Sequence, residues 1–364
     1  MSETNRKVTR RQFLTWAGAG AAVTLGGTAL AACGGSTTPA TSTNAPAVPA
    51  ATQAAGAPAK KYVLRLSHSH PADPDQSSLH IMVLKFQELA AKKTNNQVDV
   101  QIFPANQLGE ERVVVEGVRM GTIDMMASGT AIWINFAAKL GVLDLPYIFK
   151  DFNQFHKVID GPVGQDLAQH VEQTTGARVL SWFDSFGFRD VATKSKEVKS
   201  FEDLKGLKIR VIQTPTYVKT FELLGASPTP MALGEVYTSL QTGVLDGWEH
   251  DTPTMVSNKM YEVTKYVAKT EHLFGALVLT VNAKKLDSLP DDIKKAVVEA
   301  GKEAGDYARS LAPDKEQGSY KILKDKGIVI DDFDKAPAIE KVRGYWKEYA
   351  DQVKATDLLA KMTS

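Results

Sequence analysis

From Tyr62 onward the apolar positions alternate between a period of two and a period of three to four. Tyr62, Leu64 and Leu66 alternate with Val63, Arg65 and Ser67, a strand pattern that ends at Ser67-His68-Ser69-His70-Pro71. Leu79, Val83, Phe86 and Ala90 then share one face of a helix over about residues 76–93. Val98, Val100 and Ile102 predict a second strand, stopped at Pro104. A helix over about 110–120 ends at Gly121 and leads into a third strand over 123–127. Strand, helix, strand, helix, strand predicts an α/β architecture with a largely parallel sheet.

The same order returns in the second half. After the turn signal Lys205-Gly206, a short apolar strand over 207–212 carries Arg210. A helix over 217–224 stops at Gly225, and a loop with Pro228 and Pro230 leads to a helix over 234–241, stopped at Gly243. The chain then runs through Leu245 and Asp246 into Trp248, Glu249, His250 and Asp251. Residues 118–124 and 240–246 are alike: each is a helix end, a glycine and an apolar-Asp strand entry. Two lobes of similar construction follow, with a cleft between them as the natural place for a small ligand. Apolar residues over 277–281 predict a buried strand returning to the first lobe. Pro290 opens a long helix with Ile293, Val297, Ala300, Ala304, Ala308 and Leu311 on one face, and Pro313 as a place to kink it. A last strand over 328–330 and a polar helix over about 339–350 complete the pattern.

The first 60 residues follow different rules. Thr9-Arg10-Arg11-Gln12-Phe13-Leu14 matches a twin-arginine export motif, and a weakly apolar run rich in Gly and Ala extends to Ala32. Leu30-Ala31-Ala32-Cys33 is a lipobox, so residues 1–32 are expected to be a signal peptide and Cys33 to carry lipid. Residues 33–60 are Ser, Thr, Ala, Pro and Gly with almost no charge, a tether between lipid and domain. The protein is therefore expected to be exported, anchored on the outer face of the cytoplasmic membrane or periplasmic. Cys33 is the single cysteine, which excludes an intramolecular disulfide. Loss of the signal takes 43 basic and 42 acidic residues to 39 and 41, a net of −2 that offers nothing to nucleic acid. An anionic ligand then has to be held by local arginines.

Arg210, set into a strand, suits a planar anion, because a guanidinium fork holds a carboxylate by two parallel hydrogen bonds. The competing reading is a structural salt bridge. His68 and His70 sit two apart at a strand end as cleft-lining or turn-capping groups, without a zinc-ligand spacing around them. Ser128, Gly129 and Thr130 follow the third strand at its C-terminal end, where open α/β sheets bind ligands, or cap the next helix. No G-x-S-x-G elbow surrounds Ser185, and the chain carries neither a phosphate loop nor a dinucleotide fingerprint. Binding without catalysis, and without a cofactor, is the expectation.

Residues 203–211 (DLKGLKIRV), 225–231 (GASPTPM) and 235–247 (EVYTSLQTGVLDG) together resemble the solute-binding proteins of tripartite ATP-independent periplasmic (TRAP) transporters, DctP type. The likeness extends from about Tyr62 to the C-terminus. It implies a two-lobed α/β fold like that of periplasmic binding proteins, with a cleft between lobes and a long lobe-spanning helix. Lobe I is expected over 61–186 plus 276–315, and lobe II over 187–275 plus 316–364. The resemblance makes Arg210 the principal carboxylate-binding arginine and Arg189, in Gly187-Phe188-Arg189, a second one. It implies capture of a small organic acid anion and delivery to a membrane permease driven by an ion gradient. The chain departs from the family at His250, where asparagine is usual, and at Leu233, where phenylalanine is common. His250 is left to read either a hydroxyl or a second carboxylate, and Trp248 to form an apolar wall or simply core. Glu249 and Asp251 are candidates for a metal ion, as in a minor branch of the family. Two other classes stay open: a lipoprotein presenting its ligand to a sensor or chemoreceptor, and a metal-dependent secreted enzyme built on His68, His70 and His250.

Overall fold

The computed structural model describes residues 61–363. The expected export signal, Cys33 and the expected tether lie outside the described residues. The alternation at Tyr62 becomes β1 (Tyr62–Ser67), followed by α1 (Ser78–Lys93), β2 (Val98–Phe103), α2 (Glu111–Met120) and β3 (Met125–Gly129). The side chain of Ser77 caps α1 by accepting the His80 amide, and Leu79, Val83, Phe86 and Ala90 are all buried beneath the helix. β1 lies parallel to both β2 and β3.

The chain then makes one long strand, β4 (Ala177–Thr193), and repeats the first unit: β5 (Lys208–Val211), α3 (Pro215–Leu223), β6 (Ser227–Pro230), α4 (Leu233–Thr242) and β7 (Gly247–Asp251). β5 lies parallel to β6 and β7, as β1 does to β2 and β3. The likeness between the two halves extends to single atoms. Gly121 and Gly243 both adopt φ of +80°, the left-handed conformation that ends a helix most cheaply in glycine. The carboxylate after each accepts a backbone amide at 2.8 Å: Asp124 from Arg65 of β1, and Asp246 from Lys208 of β5. The segment with Pro228 and Pro230, expected as a loop, is the edge strand β6. It pairs with β5 alone, and an edge tolerates residues that have no N–H to donate.

β8 (Tyr266–Asn282) joins the units into one nine-stranded sheet of order β2-β1-β3-β8-β4-β7-β5-β6, with β9 (Val329–Asp332) beside β8. The sheet is parallel within each unit and antiparallel where β3, β8, β4 and β7 meet, so it is mixed, not largely parallel as the sequence pattern implied. The difference arises because β4 and β8 are single strands of 17 residues, each long enough to run about 55 Å through both halves. Their pairing loses register between Asp184 and Phe188, where Phe186 and Gly187 take φ of +63° and +138°. At that break the helix α5 (Asp291–Asp325) reaches in: a Glu316 carboxylate oxygen accepts the Phe188 amide at 3.0 Å. Tyr320, one turn on, donates to Asp190 at 2.5 Å. α5 has 35 residues, contains Pro313, and buries Ile293, Val297, Ala300, Ala304 and Ala308 on the predicted face. α6 (Lys335–Gln352) follows β9, and its Tyr349 hydroxyl donates to the Ala138 carbonyl at 2.6 Å.

Candidate ligand-binding site

The C-terminal ends of β1, β3, β5 and β7 converge, two from each unit. This is where open α/β sheets place ligands. Ser69 and His70 follow β1, Gly129 ends β3, Arg210 lies on β5 and His250 on β7, and all line one internal cavity. Glu111, in the first turn of α2, and Arg189, on β4 just beyond the register break, complete its polar wall. Leu79, Ile132, Ile212, Leu233 and Leu277 supply the apolar remainder. The cavity volume is ≈ 30 Å³, room for about two waters, so an organic acid enters only when the walls part. A larger hollow of ≈ 400 Å³ lies beside Lys150, Lys157 and Lys361, but those lysines are solvent-exposed and present no buried charge in need of a partner.

The two arginines differ sharply. Arg189 is charge-paired through two of its three nitrogens: its Nε donates to Glu249 Oε2 at 2.6 Å and its Nη2 to Oε1 at 2.7 Å. Nη2 also donates to the Glu249 backbone carbonyl, and the Tyr217 ring lies 5.2 Å from the guanidinium carbon. Burial works against the charge on Glu249, yet Arg189 and the His272 ring, 3.2 Å away, outweigh it and hold the carboxyl down at about 2. Arg210 has no carboxylate in contact. Its Nε and Nη2 donate to the Met231 carbonyl at 3.0 and 2.8 Å, and its Nη1 is buried without any partner. Burial, reinforced by the neighbouring Arg189 charge, pulls Arg210 down to about 10 against the opposing pull of Glu249 and Glu111. A buried cation with one bare N–H arm is costly in isolation and ready for an anion.

The histidines are held neutral. Burial, followed by the proximity of His250, lowers His70 to about 3, and its Nδ1 has no partner. Its ring meets that of His250 edge-on at 5.8 Å. Burial and the Arg189 charge lower His250 as well, against the pull of Asp251, whose Oδ2 lies 2.5 Å from His250 Nδ1. Glu111 accepts the Ser69 hydroxyl at 2.9 Å, and burial raises its carboxyl above the usual range.

Of the residues singled out in the sequence, Arg210, Arg189, His250, Leu233, His70 and Gly129 thus line the same cavity. Trp248 is fully buried in an apolar cluster with Val236, Leu240 and Met255, and Glu249 stands behind Arg189 as its counter-ion. His68 is buried against His80, their ring nitrogens 3.1 Å apart, and the Ser128 hydroxyl accepts the Trp133 indole N–H at 3.0 Å. Neither His68 nor Ser128 is part of the cavity wall. Ser69, Glu111, Ile132 and Ile212 were not legible as site residues. Glu111 reads in sequence as an acidic residue favouring a helix start, since it is the second of two glutamates after Gly109 and opens α2.

Residues 68–352 match bacterial extracellular solute-binding protein family 7, the DctP family. The chain belongs to this family. It is thus a solute-binding protein of the TRAP type, acting outside the cytoplasm. The solute-binding protein is 37% identical over 259 residues to the 2,3-diketo-L-gulonate-binding periplasmic protein YiaO of Escherichia coli K12, a match covering 71% of this chain and 78% of YiaO. It is 33% identical over 291 residues to the C4-dicarboxylate-binding periplasmic protein DctP of Rhodobacter capsulatus, covering 80% and 84%. Its fold superposes with a TM-score of 0.79 on a TRAP periplasmic solute-binding protein from Sulfitobacter sp. NAS-14.1 with bound β-D-galacturonate, at 29% identity, covering 83% of this chain and 99% of that one.

Proposed function

We propose that this solute-binding protein captures a small organic acid by pairing its carboxylate with Arg210 and delivers it to a membrane permease. The observation that carries the reading is the buried Arg210 guanidinium, which faces the cavity with one N–H arm bare and no carboxylate beside it. Arg189, neutralised by Glu249, assists by shape and partial charge. Capture proceeds by closure: an open cleft admits the acid, the two lobes hinge shut, and exclusion of water strengthens the new ion pair. Lobe I comprises 61–186 plus 276–315, and lobe II 187–275 plus 316–364. The loss of register in β4 between Asp184 and Phe188 supports a hinge at the first of these boundaries. Cys33 carries the lipid that keeps the protein at the membrane. The role is transport, with no bond made or broken in the ligand. The ligands of relatives, a diketo-gulonate in YiaO and a galacturonate in the Sulfitobacter protein, are acids of the size this reading requires.

Thermal unfolding against a panel of small acids tests the reading. An acid at ~100 times its dissociation constant adds about 2.7 kcal/mol, a rise of several degrees. Absence of any rise, after unfolding and refolding to strip retained ligand, sinks it.

A further inference from the structure

Taking Arg210 as the carboxylate partner, we propose that the site selects monocarboxylates that carry hydroxyl groups and rejects dicarboxylates, with Glu111 and His250 receiving the hydroxyls. The inference rests on the function proposed above and narrows it to a class of acid.

A count of the available cations supplies the first argument. The polar wall contains two arginines and no lysine. The charge of Arg189 is matched by a bidentate contact with Glu249, which leaves Arg210 as the one guanidinium whose charge is unmatched. His70 and His250 are held neutral by burial and do not act as further cations. A second carboxylate closed into this cavity therefore has no positive partner, and an unpaired buried charge is among the most expensive things a protein can enclose.

The hydrogen-bonding sense of the remaining groups supplies the second. A ring nitrogen 2.5 Å from a carboxyl oxygen requires a proton between them. Because the Asp251 carboxyl, despite burial, is held below its usual range by His250, that proton is assigned to His250 Nδ1. Nδ1 thus donates to Asp251 Oδ2 in preference to accepting the longer 3.1 Å approach of the Asp251 amide. The other oxygen of Asp251 accepts the Thr254 amide at 2.9 Å, which locks the carboxylate and so the tautomer. In the neutral ring Nε2 is then a bare lone pair. It accepts from an O–H and repels a carboxylate oxygen. Glu111 acts in the same sense: one oxygen takes the Ser69 hydroxyl at 2.9 Å, and no hydrogen bond among the described residues occupies the other. The wall thus presents these acceptors opposite one unmatched positive charge, Arg210, with the single N–H of the neutral His70 ring as a further, uncharged donor. A ligand that satisfies both has one carboxylate and donates through hydroxyls.

Matched pairs of acids provide the test. D-Galactonate and D-galactarate share a hydroxylated six-carbon skeleton and differ in whether C6 bears a hydroxyl or a carboxylate; D-erythronate and meso-tartrate are the four-carbon equivalent. Affinities measured by calorimetry at pH 8, where an ionised Glu111 is favoured, are expected to favour the monocarboxylate of at least one pair by a hundredfold or more. In Glu111→Gln, whose amide can donate to a carboxylate, the gap is expected to narrow at least tenfold. A dicarboxylate that binds as tightly as its monocarboxylate partner overturns the proposal, as does binding by neither member of either pair. The wild-type comparison stands even where the variant fails to fold. Arg210→Ala separates the two levels of inference. If it abolishes binding of a pair whose members bind equally, only the selectivity falls; if it leaves binding intact, the carboxylate reading itself falls.

Discussion

Replacement of Arg210 by alanine has an effect whose size follows from the site. Its fall from an ordinary 12.5 to about 10 corresponds to roughly 3 kcal/mol of disfavour toward the charged form in the cavity. A ligand carboxylate that meets Nη1 relieves that disfavour on closure and supplies a charge-assisted hydrogen bond. Arg210→Ala removes this gain and leaves the carboxylate buried without a cation, a loss of about 3–5 kcal/mol, or two to four decades in affinity. The same substitution removes an uncompensated buried charge from the ligand-free protein. Its melting temperature should therefore change by much less than its affinity, with the lost bonds to the Met231 carbonyl partly offsetting the relief. Isothermal calorimetry and differential scanning calorimetry on the same samples read both quantities. Arg210→Lys, a point charge without the fork, should fall between the two. A dissociation constant in Arg210→Ala within threefold of wild type would refute the reasoning, since no other cation lining the cavity lacks a carboxylate.

Arg189→Ala should behave in the opposite way. It strands Glu249, fully buried, and is expected to cost about 3–5 kcal/mol of stability, read as a drop in melting temperature of roughly 6–20 °C with or without ligand. Gly187→Ala should destabilise by about 1–3 kcal/mol: the residue sits at φ +138°, and its Cβ would lie 2.2 Å from Glu316 Oε1. Gly318→Ala, on the same helix with nothing within 4 Å of the new carbon, should instead raise stability by about 0.5–1 kcal/mol, and urea unfolding of the pair checks both signs. His70 is lowered in the fold to about 3 from 6.5, so the unfolded chain binds the extra proton between these values. Stability of wild type relative to His70→Gln should be unaffected by this group above pH 6.5 and fall as pH drops toward 3; a flat difference across that window rejects the assignment of a neutral buried imidazole.

What was legible in the sequence was local. Glycine stops at Gly121 and Gly243, alternation at Tyr62 and the apolar face of α5 name their own structures, because backbone conformation and period determine them within a few residues. Arg210 stood out as a charge inside a strand. The 17-residue strands were not legible, since Gly187 and Gly275 interrupt the apolar run of each at places a neighbouring side chain fills: a Cβ on Gly275 would lie 1.7 Å from Ser185 Oγ. Nor was the commitment of Arg189 to Glu249, 60 positions away, or the meeting of Ser69 with Glu111, 42 positions apart. Such partners are chosen by strand order, which no nearby residue encodes. The same holds for His250, left between hydroxyl and carboxylate in the sequence, where the contact with Asp251 fixes which nitrogen bears the proton.

The seating of α5 has a mechanical consequence. A Cβ on Gly301 would lie 2.9 Å from Leu180 Cβ, and one on Gly305 would lie 1.8 Å from Ser181 Oγ, so here the helix backbone rests directly on side chains of β4. Gly318, beyond Pro313, touches nothing at its missing Cβ. The helix is nevertheless held on this side too, by Glu316 at the Phe188 amide, Tyr320 at Asp190 and Ser319 at Thr252, so it is pinned on both sides of the proline. Any displacement of the far end is converted into flexure at the proline, where one intrahelical hydrogen bond is already missing.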